Sequence, residues 1–185
     1  QILDTNSYIE EIWAYGYWAI DRCARIIKEG TSFKEVTKGD LAEVEGCIAQ
    51  AYAIKALCSF YLTNMFGLPY SEANKTTLGI VNVTEPVPAY SQVSRVSVEQ
   101  NYSLILDDIT KAKEYYAKEG VENVGKQYMN TAAVAALEAR VKLYMKNYEG
   151  AITAAQEAIT LSGGTVVSTK EDYKNMYTTL AVSTE

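Results

Sequence analysis

Apolar residues recur every three or four positions along most of this chain, the spacing of helices that bury one face. Between Ser7 and Glu29 the positions Ile9, Ile12, Trp13, Gly16, Tyr17, Ile20, Ala24 and Ile27 form one stripe, with a capping box at Ser7 and Glu10 and a stop at Gly30. A second helix is predicted from Asp40, its N-cap, to Phe66, with Val44, Ile48, Ala51, Cys58, Leu62 and Met65 as its stripe. Gly67 and Pro69 end it, since glycine accepts a left-handed C-cap and proline cannot continue a helix. A third opens on the capping box Ser97–Gln100 and carries Val98, Tyr102, Ile105, Ile109, Ala112 and Tyr116. Two more, from Thr131 to Lys146 and from Tyr148 to Leu161, are joined so tightly that they must fold back as an antiparallel hairpin. Gly163-Gly164 closes that pair, Val166-Val167 reads as a short strand, and a last short helix runs from Thr169 to Tyr177.

The pattern breaks between residues 68 and 96. All three prolines, Pro69, Pro86 and Pro88, fall there among many Ser, Thr and Asn, with one extended piece expected at Gly79–Val83. A loop of this length between helices is usually functional or a docking segment. The hairpin at 131–161 reads as a tetratricopeptide-type unit. Ala139, Ala151 and Ala158 sit where two helices touch, and Tyr148 stands at the bend, although Lys142 takes a position usually aromatic. The expected fold is therefore all-α, a set of irregular tetratricopeptide-like helical hairpins with a long proline-containing loop, in one unit over 1–185.

Composition narrows the function more than it narrows the fold. Formal net charge is −6, and the 17 basic residues form no cluster, so neither a nucleic-acid backbone nor an anionic membrane surface is an expected partner. Histidine is absent, which removes Ser-His-Asp and Cys-His catalysis and most zinc or copper sites. Cys23, Cys47 and Cys58 lack metal-site spacing and read as buried free thiols. Asp107-Asp108 are neighbours on a helix, so their side chains diverge by about 100° and read as a solvated face, not as an acid–base pair. No enzyme and no cofactor is expected.

Three runs of residues carry a resemblance. Gln50-Ala51-Tyr52-Ala53-Ile54-Lys55-Ala56-Leu57, continuing through Tyr61-Leu62 to Phe66-Gly67-Leu68-Pro69, is similar to the long helix of the SusD/RagB family, with its EARxLRA core and aromatic-glycine turn. Arg95 to Tyr102 with Asp107 to Ala112 resembles the family's R-x-SVxExY…DLxxA helix. Ala132 to Tyr144 with Tyr148-Glu149-Gly150-Ala151 resembles its KxAAxALLARVYLYxxDYxxA hairpin. Order and spacing agree over roughly residues 40 to 180. Gln50 and Lys55 stand where the family has Glu and Arg, which leaves any ion pair there unassigned.

The resemblance implies a non-catalytic binding subunit on the cell surface, held at the outer membrane by a lipid anchor that this chain does not include. Its partners would be an oligosaccharide or other nutrient ligand and a TonB-dependent, SusC-like transporter. It also implies a longer protein of which these residues form the N-terminal helical part. Sugar recognition needs a flat ring to stack on and amides or carboxylates to bond hydroxyls. In the long loop Tyr70, Asn74, Asn82 and Tyr90 have that chemistry, while Tyr70 and Tyr90 could equally pin the loop to the helices. Trp13 is read as core and Trp18 as partly exposed. The alternative reading is a tetratricopeptide-type protein–protein adaptor, which predicts a concave groove with clustered Asn, Lys or Arg.

Overall fold

The helices form where the periodicity predicts them, and the departures come from packing. The computed structural model describes residues 7–36, 41–164 and 169–178. Its elements are α1 (Ser7–Val36), α2 (Ala42–Phe66), α3 (Val98–Tyr116), α4 (Thr131–Tyr144), α5 (Tyr148–Ser162) and α6 (Lys170–Thr178). Among the described residues there is no strand beyond one isolated bridge, Leu78 with Ser97. The fold is all-α.

Local capping explains several of the ends. The Ser97 side chain accepts from the Gln100 N–H while the Gln100 side chain reaches back to the Ser97 N–H, the expected capping box. Asn130 and Asn147 cap α4 and α5 in the same manner, on the N–H groups of Ala133 and Gly150. Gly163, at φ 62°, closes α5 in the left-handed conformation, whereas Gly67, expected to end α2 in that way, is extended at φ −105° and donates its N–H to the Thr63 carbonyl. Thr169 Oγ1 accepts from the Asp172 N–H at the start of α6. Ser7 is already helical, one step inside the position a capping box needs. The cap of α2 is Leu41, without a side-chain bond; Asp40 and the strand read at Val166-Val167 lie outside the described residues.

Gly30 does not stop α1, which continues to Val36. Its role is close approach. A Cβ at Gly30 would lie 2.9 Å from Ile48 Cγ1, and one at Gly16 would lie 2.9 Å from Leu62 Cδ1. Gly16 and Gly30 are as far apart in sequence as Ile48 and Leu62, so the antiparallel α1 and α2 interlock at two matched points. Gly30→Val is expected to cost about 1–3 kcal/mol by overpacking. Gly46→Ala, whose Cβ would meet only Val121 at 3.6 Å, should be neutral or mildly stabilising. Urea unfolding of the two variants checks the contrast.

α2 is buried on two sides. Ala49, Ala53, Ala56 and Phe60 pack with Val98, Tyr102, Ile105 and Ile109 of α3 and with Val134, Leu137 and Val141 of α4. Its opposite side joins Leu62 to Ile20 and Ala24 of α1 and to Ile80 and Val83 of the loop. The alanines let α2 and α3 approach closely, and Phe60 fills the space between Tyr102 and Tyr144. Met65, read as part of the α2 stripe, is exposed. α4 and α5 form the predicted hairpin. Lys142 bonds Glu138 at 2.5 Å, and Glu138 also meets Lys113, which reaches Glu157 at 2.7 Å, so one charge network spans α3, α4 and α5. The three cysteines are free; Cys23 is buried, Cys58 half-buried and Cys47 exposed, the last against expectation.

Candidate functional site

The extended piece expected at Gly79–Val83 is present, but no strand pairs with it. Two ladder bonds link it to the chain before α3: Gly79 N–H donates to the Val96 carbonyl at 2.7 Å, and Val96 N–H to the Ile80 carbonyl at 3.0 Å. Side chains supply further bonds, since buried backbone groups must find partners. Asn101 of α3 accepts from Ile80 N–H at 2.8 Å and donates to the Ile80 carbonyl at 3.1 Å. The Tyr17 hydroxyl of α1 accepts from Val81 N–H at 2.8 Å and donates to the Val81 carbonyl at 3.1 Å. Lys55 of α2 donates to the Val83 carbonyl at 3.2 Å. Arg95 donates to the carbonyls of Gly79 and Phe66. Three helices thus stand in for a neighbouring strand. Burial pushes the Tyr17 hydroxyl up to about 12, so it keeps the proton it donates.

Between this segment and α1 lies a cleft of about 320 Å³, lined by Trp13, Tyr17, Trp18, Asp21 and the valines Val81, Val83, Val87 and Val93. That size is within the range of small-ligand pockets. Trp13 is the floor, packed on Tyr17 and Phe66 with ring centroids 4.8 Å apart in each pair. Trp18 is the open wall, 58% exposed, with Tyr15 edge-on to it at 5.2 Å. Asp21 supplies the carboxylate at the rim. Its oxygens accept from Arg25 Nε at 2.7 Å and, more weakly, from Val87 N–H at 3.4 Å. An aromatic wall with a carboxylate beside it can stack on the C–H face of a sugar ring while accepting from its hydroxyls.

The loop residues singled out from the sequence divide. Tyr70 packs edge-on against Tyr102 at 5.0 Å. Asn74 donates to the Pro69 carbonyl at 3.0 Å within a turn. Asn82 accepts from Asn101 Nδ2 at 2.6 Å and donates to the Gln100 carbonyl at 3.3 Å. Tyr90, at φ 63°, is fully exposed and pins nothing. The four do not converge on one cavity. Trp13, Trp18 and Asp21 do, and the sequence carried only a partial signal for them: Trp18 is a large aromatic off the core stripe, with Asp21 one turn later.

Below the cleft the reading of Asp107-Asp108 needs correction. Asp107 is exposed and 4.0 Å from Lys111, but Asp108 is 1% exposed and bonds Lys55 Nζ at 2.9 Å. Asp108 falls on the buried side of α3 with Ile105, Ile109 and Ala112, so Lys55 finds a partner after all. Burial pushes the Asp108 carboxyl up to about 6, against the opposing pull of the Lys55 ammonium. Among the described residues no three Asp, Glu or Cys side chains gather as a metal site, and no helix is long and apolar enough to cross a membrane.

Residues 1–143 match the SusD-like family described as starch-binding, associating with the outer membrane. A SusD superfamily protein from Bacteroides thetaiotaomicron VPI-5482 is 28% identical with a TM-score of 0.76, the match covering 89% of this chain and 35% of that one. A putative sugar binding protein from Bacteroides vulgatus ATCC 8482 is 29% identical with a TM-score of 0.70, over 80% of this chain and 32% of that one. A laminarin binding SusD-like protein shares the fold at 20% identity and a TM-score of 0.68, over 91% of this chain and 34% of that one. The chain therefore spans about a third of the length of these structures. No curated protein matches it. With the family match running over most of its length and the same helical arrangement recurring in these relatives, the chain belongs to the SusD-like family.

Proposed function

We propose that this chain is the N-terminal helical part of a non-catalytic, lipid-anchored cell-surface glycan-binding protein that passes its ligand to a TonB-dependent outer-membrane transporter. Family membership supports the ligand class. The observation that carries the reading to a site is the exposed Trp18 ring beside the Asp21 carboxylate in an aromatic cleft. Tyr90 is exposed on the same loop, and Tyr70, Asn74 and Asn82 hold that loop in place.

Isothermal titration with maltohexaose and laminarin oligosaccharides tests the proposal. At least one should bind. Trp18→Ala should weaken it by about tenfold, the value of one well-stacked aromatic contact, with the far-UV circular dichroism unchanged. Binding by neither sugar, or equal binding by Trp18→Ala, would refute the cleft as the site.

One observation favours the adaptor reading. A groove of about 520 Å³ runs beside α4 and α5, floored by Ala132, Ala133, Ala136 and Ala158, with Asn123, Lys126 and Asn130 along it. Two of those polar groups are already engaged: Asn123 accepts from Thr131 N–H and Asn130 from Ala133 N–H, both serving the start of α4. The groove therefore offers fewer free polar groups than peptide capture needs, and the glycan reading stands first.

A further inference from the structure

The loop wall of the cleft is anchored at three successive points: Val81 by Tyr17, Val83 by Lys55 and Val87 by Asp21. The middle anchor differs from the others. Lys55 is 3% exposed, Asp108 is buried beside it, and among the described residues no group bonds Asp108 Oδ2. A buried ion pair is ordinarily a poor source of stability, and apolar residues of similar volume often serve as well. Its position, joining α2, α3 and the wall through one ammonium, suggests a different role.

We propose that Lys55 and Asp108 are positioning residues for the cleft: Asp108 holds the Lys55 ammonium against the Val83 carbonyl, and a proton taken up on Asp108 loosens the wall. The groups that face the pair are Cys23 of α1, Tyr52 and Cys58 of α2, and Asp107 and Lys111 of α3. Solvent supplies the proton, and the unpartnered Oδ2 receives it. With the carboxyl neutral, the buried ammonium keeps, among the described residues, the Val83 carbonyl as its one full acceptor. That arrangement is costly, and it is relieved by Lys55 moving outward with the segment it holds.

The chain is well suited to a direct test. Its only two tryptophans, Trp13 and Trp18, both line the cleft, so intrinsic emission reports the wall without any ligand. It has no histidine to titrate in the same range. The proposal rests on the glycan reading for its consequence in binding, but not for this signal.

Emission and acrylamide quenching of the wild-type chain, followed from about pH 8 to about pH 5, should show one transition centred near 6. Asp108→Asn should abolish it. Should that variant fail to fold, Lys55→Met/Asp108→Leu keeps an apolar pair in the same space and should give a flat trace with native circular dichroism. A flat wild-type trace, or a transition that persists in the double variant, overturns the positioning role. A parallel titration with maltohexaose and laminarin oligosaccharides at both ends of the range separates the two ideas. A fluorescence transition with no sugar bound at either pH sustains the positioning role and sinks the glycan reading. Sugar bound equally at both, with flat fluorescence, does the reverse.

Discussion

Lys55→Met should destabilise the fold by about 3–5 kcal/mol near neutral pH, the cost of leaving a buried charge without its partner. Asp108 is only 1% exposed, so solvent does little to soften the loss. Lys55→Met/Asp108→Leu should recover most of that stability, because it removes both charges and fills the volume. The penalty should also follow pH. In the wild type, burial moves the carboxyl from its ordinary 3.8 to about 6, so the folded state holds this proton more tightly than the unfolded chain does. Stability from this group is therefore fully present below about pH 4 and is lost as pH rises to about 6, a bias of about 3 kcal/mol. Above that range the wild-type contribution is flat. Without the ammonium that opposes the effect of burial, the single variant keeps losing stability as pH rises further. Urea unfolding at several pH values should show the gap between the two widening from mildly acidic to alkaline conditions.

Asn101→Ala should cost about 3 kcal/mol and release the extended segment while the helices persist. Asn101 is buried and its amide bonds both backbone groups of Ile80, so truncation leaves the buried Ile80 N–H without its acceptor and removes the donor to Asn82 Oδ1. Gly79 belongs to the same arrangement. A Cβ there would fall 1.9 Å from Asn101 Oδ1, which makes the glycine a matter of space, since its φ is not positive. Gly79→Ala and Asn101→Ala should therefore be non-additive: the second change removes the atom with which the first collides. Hydrogen exchange should show protection lost over residues 79–83 in each single variant and retained in α2 and α3. Additive losses in the cycle would argue against this coupling.

These two positions also show why the cleft is a tertiary object. Val81 and Val87 meet Tyr17 and Asp21 from 64 and 66 residues away, and Val83 meets Lys55 from 28. Every one of these bonds joins a loop backbone group to a helix side chain. Such bonds follow no period of two or of 3.6, so nothing in the spacing of residues announces them.

What the amino-acid sequence determined alone is the set of helices and most of their ends. The Ser97–Gln100 box, the break at Gly67 and Pro69, the left-handed Gly163 and the turn before Tyr148 all act within a few residues, as does the i to i+4 bond itself. The family was legible for the same reason, because its motifs are local helical patterns. Only the tertiary structure decided what each ambiguous residue does. Gly30 looked like a stop and became a point of contact with Ile48, and Asp108 looked solvated and became the buried partner of Lys55. Tyr70, Asn74 and Asn82 turned inward to hold the loop, while Trp13, Trp18 and Asp21 came together under it. A helix face is fixed by the next few residues, but whether that face meets solvent, another helix or a loop depends on distant parts of the chain.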